Sequence, residues 1–499
     1  MSNQNIAARA CAALERKREL PAIRAINAFM ASPYGIGALA ALTLLANLLS
    51  LELVLYTVTV LYGIYLCLLG DDLLTLSPFF VFCYIAPSRA NNPGRTDESI
   101  FSGAGGVFLL IAAGLLLLAL AWRLSTDKRF GIKRLLTQKR QMLWGMLLLG
   151  LAYVLSGMGS AHYGEIWAKN IGFALVQFAC LFVPYLLFTA LVDWEKARRD
   201  YFAWIGFFAG CVIALEIVNI YLAFNGDFIS GGSINDRWSI YLGWGMHNNI
   251  GAMLATTMPF AFYLACQYKR GYLFMLPAVG MMAALCLTVS RASILAGSLA
   301  FAASAALMIL YSKNRRVNAV VGLSLFAAAG VMVLIFREQL SNTFSILFEH
   351  GLLNDSGRFE LYKNGLNVFY GDPILGEGFY PADMSIFKNA YWFAGYEITD
   401  FLPPRWHNTV IQLLASCGIL GLLGYGYHRV QSLWVFFKGL NVPKLFLGVS
   451  VAAFLGMSLL DCHFFNLGPT LFYSLALTFA ECGCPSKKSC EVTLAKEPS

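Results

Sequence analysis

Charge is scarce in this chain. Only 13% of its 499 residues are Asp, Glu, Lys or Arg, well below the roughly 25% of soluble domains. Apolar residues make up 58%, and mean hydropathy is +0.63. The shortage of charge excludes an ordinary water-soluble enzyme and leaves an all-α, polytopic transmembrane helical bundle. The formal charge of +8 would suit a nucleic-acid partner, but most Lys and Arg fall in short connections between apolar runs, where they set membrane orientation. Membrane lipids are the expected surroundings, and no nucleic acid is expected.

Several signatures are also missing. No Walker loop, Rossmann fingerprint, HExxH zinc motif or G-x-S-x-G elbow stands at a sensible position. Leu375-Gly376-Glu377-Gly378-Phe379 is glycine-rich but follows no strand of a βαβ unit, so it reads as a tight backbone turn. Cys67, Cys83, Cys180, Cys211, Cys266 and Cys286 lie inside apolar runs and behave as small hydrophobes, so no disulfide framework is expected. Glu481-Cys482-Gly483-Cys484 with Cys490 reads as a thiol metal site or, lacking a second pair and a nearby histidine, as reduced cytosolic thiols. Residues 1–33 are basic without a cleavable apolar core and read as a cytosolic lead-in.

What is present is a succession of fourteen hydrophobic segments, near 34–50, 51–69, 72–87, 103–122, 141–157, 169–192, 201–224, 250–267, 272–290, 292–311, 317–336, 409–428, 445–460 and 464–481. A membrane helix needs about 20 apolar residues, so about 12–14 crossings are expected. With the N-terminus inside, the basic loops after the fourth crossing (Arg123 to Arg140) and at Lys196–Arg199, Lys269–Arg270, Lys313–Arg316, Arg429–Lys438 and Lys487–Lys488 all fall on one face. The organisation is then a basic segment 1–33, helices over 34–336 with an outer loop near 225–249, a long outer loop 337–408, helices over 409–481 and a cytosolic tail 482–499. Loops longer than about 12–15 residues are uncommon unless functional or disordered. Trp392, Phe393, Tyr396, Phe401 and Trp406 would anchor this one, and Asp355 or Ser356 would cap a helix to about Phe369, stopped by Gly371-Asp372-Pro373.

Charges on the outer face can be weighed singly. Arg237 has a planar donor fork suited to phosphate, or it pairs with Asp236. Arg291, in Thr288-Val289-Ser290-Arg291, either snorkels to headgroups or joins an anion site. Arg358 opens the capped loop helix with Tyr362 on the same face, and Arg405 precedes His407 by two residues. Several guanidiniums over one vestibule would bind diphosphate. His407 stands before the helix-capping Asn408 and Thr409 and is either a general base or an interfacial histidine bonded to a carbonyl. After it, Ala415, Gly418, Gly421 and Gly424 form a small-residue stripe for close helix packing. Glu216, inside an apolar run, either lines a wet groove or pairs with a basic neighbour. Asp461 and His463, at an outer hairpin, are read with the same reserve.

Four pieces carry a resemblance: Arg237 with His247-Asn248-Asn249 and Gly251; Thr288-Val289-Ser290-Arg291; Gly357-Arg358 with Asn364 and Pro373-Ile374-Leu375-Gly376-Glu377-Gly378; and His407-Asn408-Thr409 with Gln412-Leu413-Leu414, Gly418-Ile419 and Gly421. In order and spacing the chain resembles the O-antigen ligase and O-antigen polymerase superfamily. His247-Asn248-Asn249 departs from the family's frequent Asn-Pro-Asn or His-Pro-Asn. The resemblance implies a GT-C-like, metal-independent, inverting glycosyltransferase of the bacterial cytoplasmic (inner) membrane, its active site on the extracytoplasmic side. It would need no cofactor, using an undecaprenyl diphosphate-linked glycan donor and a hydroxyl-bearing glycan, lipid or protein acceptor. By the same analogy Arg237 and Arg291 bind diphosphate, Arg358 holds donor or loop, and His407 activates the acceptor. Asn249, Tyr362, Arg405, Asn408 and Glu216 are further candidates for substrate contact. The competing readings are a lipid-linked glycan flippase or other transporter, which calls for paired repeats and broken helices, and a non-catalytic scaffold.

Overall fold

The computed structural model describes residues 12–49, 51–70, 72–85, 103–126, 140–158, 165–225, 241–242, 245–335, 337–338, 341, 358–380 and 405–484. The helices are α1 (Pro21–Met30), α2 (Pro33–Leu48), α3 (Glu52–Leu69), α4 (Ser77–Ile85), α5 (Gly103–Thr126), α6 (Leu143–Leu155), α7 (Glu165–Leu191), α8 (Tyr201–Asn225), α9 (His247–Gln267), α10 (Met275–Leu287), α11 (Arg291–Tyr311), α12 (Arg315–Ile335), α13 (Arg358–Gly371), α14 (Thr409–Phe437), α15 (Val442–Leu460) and α16 (Leu467–Thr478). A small antiparallel hairpin, β1 (Tyr241–Leu242) and β2 (Gly245–Met246), leads into α9. Every expected hydrophobic segment coincides with a helix. Among the described residues, however, only six are long and apolar enough to cross a bilayer alone, or seven if α1 and α2, bent by 72°, count as one span. Segments such as Leu73–Ile85 and Leu143–Leu155 are shorter apolar helices.

Polarity decides which helix goes to the middle. α9 is the least apolar of the six, with hydropathy 1.3, and 94% of its apolar window is buried inside the protein; α11, at 2.0, is only 28% buried there. A helix carrying Asn248, Asn249, Thr256 and Thr257 is poorly suited to lipid, so neighbouring helices surround it. α9 packs against α8, α10, α11 and α15, and its small residues allow close approach. A Cβ on Gly251 would lie 2.6 Å from Ser293 of α11.

Two cations bind helix ends, one of them, Arg123, expected in a loop. Arg123, in the last turn of α5 and 1% exposed, donates Nη1 to the carbonyls of Leu66, Cys67 and Gly70 at the end of α3. Lys444 Nζ donates to Val435 O and Lys438 O at the end of α14, both at 2.7 Å. Both satisfy orphan carbonyls and complement the negative end of the helix dipole. Arg429 is a correction. It lies within α14, which runs past the expected 428 to Phe437. Its Nη1 donates to Tyr473 Oη at 2.6 Å, with the guanidinium 4.3 Å from the Tyr425 ring and 4.8 Å from Phe464. Aromatic faces replace the water that the loop reading assumed.

α14 is broken at Gly418, with φ 60° and ψ −157°. A break in a membrane helix strands backbone groups that cost several kcal/mol each if unpaired in hydrocarbon. The segment Pro373–Gly378 supplies the partners: Glu377 N donates to Ala415 O and Gly378 N to Ser416 O, both at 3.0 Å, while Ile419 N donates to Pro373 O at 2.9 Å. The glycine-rich turn expected in a loop therefore enters the bundle and completes a helix. The small-residue stripe is corrected in part: Gly424 packs closely on Leu149 of α6 as expected, but Gly418 is the break itself.

Candidate functional site

Several helix ends meet at one end of the bundle: the starts of α9, α11, α13 and α14 and the end of α15. His407 lies just before α14. Its φ is 51°, and the other non-glycine residue with positive φ among those described is Val289, also 51°. A β-branched residue in that region is an outlier, and such strain clusters at functional sites. Both strained residues immediately precede capped helices: Ser290 Oγ accepts from Ser293 N at the start of α11, and Asn408 Oδ1 accepts from Val410 N and Ile411 N at the start of α14.

His407 Nδ1 is 3.1 Å from Asp461 Oδ1. Asp461 ends α15, and Asn408 Nδ2 donates to Leu459 O at 2.8 Å, so the two helix ends are tied twice. Asp461 Oδ1 also accepts from Cys462 N at 2.7 Å, and Asn248 Nδ2 reaches Oδ2 at 3.5 Å. Asn248 O in turn accepts from Ser293 Oγ of α11 at 3.2 Å. Hydrogen bonds thus run from His407 through Asp461 and Asn248 to the first turn of the helix that Arg291 opens. Tyr362 Oη donates to His407 O at 3.1 Å from α13, and Trp406, 2% exposed, is pinned by Gln412 Oε1 on its backbone N–H.

Burial would raise the Asp461 carboxyl, but the opposing field and hydrogen bond of His407, with His463 and Arg358 nearby, hold it far below the usual carboxylate range. An ionised carboxylate only accepts, so whenever the imidazole is neutral Nδ1 carries its proton and the lone pair is on Nε2. That tautomer is the one a general base requires. His463, fully buried in the turn after Asp461, is pushed down to about 4 by burial, with His407, Arg358 and Arg405 adding to the effect and Asp461 opposing it. Neither of its ring nitrogens has a hydrogen-bond partner among the described residues.

A histidine whose folded pKa is lowered stays neutral while the unfolded chain binds a proton, so its contribution to stability is full above about 6.5 and is lost as pH falls toward about 4. A drop of that size corresponds to about 3 kcal/mol. Thermal midpoints of the purified protein are expected to decline across that interval, and His463→Leu should flatten the slope relative to the parent. A parallel decline in both proteins would remove His463 as the cause. The depressed Asp461 acts at lower pH: its contribution is present above the unfolded value of about 4 and is lost as pH falls through the folded one.

Of the residues singled out from sequence, His407, Asn408 and Tyr362 are joined by contacts to this end of the bundle. Arg358, half-buried, opens α13 within electrostatic range of Asp461, and Arg405 lies 5.8 Å from the Phe173 ring within range of His463. Arg291 opens α11 and Asn249 stands in the first turn of α9. Glu216, 1% exposed in mid-α8, is not part of the hydrogen-bonded chain just traced. Arg237, Asp355, Ser356, Trp392, Phe393, Tyr396 and Phe401 lie outside the described residues. Asp461 and His463 were visible only as polar residues in an apolar hairpin; no spacing in the sequence pairs a residue with another 54 positions away.

The fold and this end of the bundle define a multi-pass helical membrane protein with a histidine–carboxylate pair among converging helix termini. A family described as O-Antigen ligase matches residues 276–426, which supports the resemblance of the chain to the O-antigen ligase and polymerase superfamily. The match includes Arg291, Arg358 and His407 and ends before Asp461. It supports a membrane function in glycan processing, with a lipid-linked glycan donor and a glycan acceptor in general terms. Among curated proteins, none matches the chain.

Proposed function

We propose that the protein transfers or polymerises glycan from an undecaprenyl diphosphate-linked donor onto a hydroxyl acceptor, at the extracytoplasmic face of a bacterial cytoplasmic membrane and without a metal. The observation that carries the reading is the His407–Asp461 pair, joined through Asn248 to the start of the helix that Arg291 opens. His407 Nε2 takes the acceptor proton as the hydroxyl oxygen bonds to the anomeric carbon. The bond from that carbon to the diphosphate oxygen breaks with its electron pair leaving on the diphosphate, and attack opposite the leaving group inverts the centre. Asp461 holds the imidazole tautomer and stabilises the imidazolium that forms. Arg237 and Arg291 bind the diphosphate, and each charge-assisted contact contributes about 1.5–3 kcal/mol. Arg358, Arg405, Tyr362, Asn249 and Asn408 contact or position donor and acceptor.

The test uses purified protein, a lipid-diphosphate glycan and candidate acceptors in the presence of chelator. Product is expected at an undiminished rate, and Arg291→Ala is expected to lower that rate at least tenfold, as loss of about 1.5 kcal/mol or more of leaving-group stabilisation requires. Activity that disappears with chelation would overturn the arginine-based mechanism.

A further inference from the structure

The end of α14 farther from His407 carries a second, separate feature. Over 29 residues α14 runs from Thr409 to Phe437, roughly 40 Å at 1.5 Å per residue. Near Phe437 a cavity of about 370 Å³ opens between α14 and the start of α6, lined among the described residues by Arg140, Gln141, Val430, Gln431 and Trp434. Arg140 is 8% exposed and is oriented by its Nε donating to Thr189 Oγ1 at 2.6 Å. Gln431 is held through Oε1, which accepts from Gly145 N at 2.8 Å; its amide nitrogen carries two further donors. Glu481, electrostatically coupled to Arg140, is engaged by Gln141 N at 2.7 Å and Tyr185 Oη at 2.8 Å. The outer lip is apolar and uncovered: Val430 is 63% exposed and Trp434 62%, with Leu433 and Phe437 also exposed on the same helix.

A guanidinium and amide donors at the end of a membrane helix, bordered by an indole and an aliphatic strip facing outward, match the two halves of a phospholipid. Headgroup phosphate suits a guanidinium charge, indoles favour the headgroup level, and basic pockets between helices bind lipid headgroups. We propose that this cavity is a specific phospholipid site, in which Arg140 and the Gln431 amide hold the headgroup phosphate while one acyl chain lies along Val430 and Trp434. The occupant is a lipid and not a soluble anion because the exposed side of the cavity is aliphatic and aromatic and continues along the membrane-facing side of α14. The site is independent of the transfer chemistry.

Purified full-length protein in detergent is titrated with phosphatidylglycerol, with diacylglycerol of the same chains and with inorganic phosphate. Thermal midpoint and native mass spectrometry are the readouts. Phosphatidylglycerol is expected to raise the midpoint saturably with one retained lipid, and the other two ligands are not. Trp434→Ala and Arg140→Gln should each weaken half-saturation about tenfold; Trp434 is surface-exposed, so its variant carries the test if Arg140→Gln fails to fold. An equal response to diacylglycerol would mean that chains alone bind, and a response to phosphate alone would make this a soluble-anion site. Either result, or unchanged half-saturation in the folded variants, overturns the proposal.

Discussion

Replacing His407 with alanine is expected to slow glycan transfer about 100- to 10,000-fold, the range a positioned general base supplies. Asparagine is the better-matched control, because it tolerates the left-handed backbone that His407 occupies at φ 51° yet cannot accept the proton. Asp461→Asn should also be strongly impaired. Its amide can donate to Nδ1, which moves the ring proton to Nε2 and removes the lone pair the acceptor needs; in a comparable triad the same exchange costs about 10,000-fold. The measurement is initial transfer rate under saturating donor, with circular dichroism and thermal midpoint as folding controls. If both variants fold and transfer at the parental rate, His407 is an interfacial histidine and the chemistry lies elsewhere.

Gly418→Val is expected to prevent folding or to destabilise the protein by about 3–5 kcal/mol. Backbone strain in a conformation essentially confined to glycine contributes about 1–3 kcal/mol. A Cβ at this position would lie 2.3 Å from Ile374 O, so the Pro373–Gly378 segment must move and release backbone partners of Ala415, Ser416 and Ile419. Gly426→Val on the same helix meets nothing within 4 Å at its Cβ and should change stability far less. Yield of monodisperse protein and thermal midpoint distinguish the two. Similar behaviour of both variants would show that the break and its clamp contribute nothing particular.

The clamp also bears on the site. Leu413, Ala415 and Ser416 lie between His407 and the break and are buried, and the clamp secures that short upper part of α14 from below. Asn408, Tyr362 and Asp461 secure it from above. A base held within a few tenths of an ångström benefits from both, because misplacement by about 1 Å can cost about 100-fold.

Much of this was legible from residue order. Apolar run length placed the helices, since a bilayer imposes one length scale on every crossing. The basic loops assigned the segments near 249, 291, 408 and 461 to one face, and the structure brings the corresponding helix ends together. His407 stood out because a helix cap follows it. The part that could not be read is non-local. His407 and Asp461 acquire their relation from the packing of α14 and α15, and neither residue's neighbours in sequence specify it. Arg429 looked like a loop charge because a cation at the end of an apolar run commonly is one; only Tyr425, Phe464 and Tyr473, gathered from two helices and a turn, make a dry position tolerable.

The amino-acid sequence by itself determined that this protein is a helical bundle in a membrane, which ends of the helices share a face, and that an imidazole stands at a helix start there. Tertiary structure alone decided that Asp461 is the imidazole's partner, that α9 is the buried central helix, and that Pro373–Gly378 mends a broken one. The physical reason is range: hydropathy and capping act within a few residues, whereas pairing a buried charge or an orphaned backbone group depends on whichever distant segment packing brings within hydrogen-bond reach.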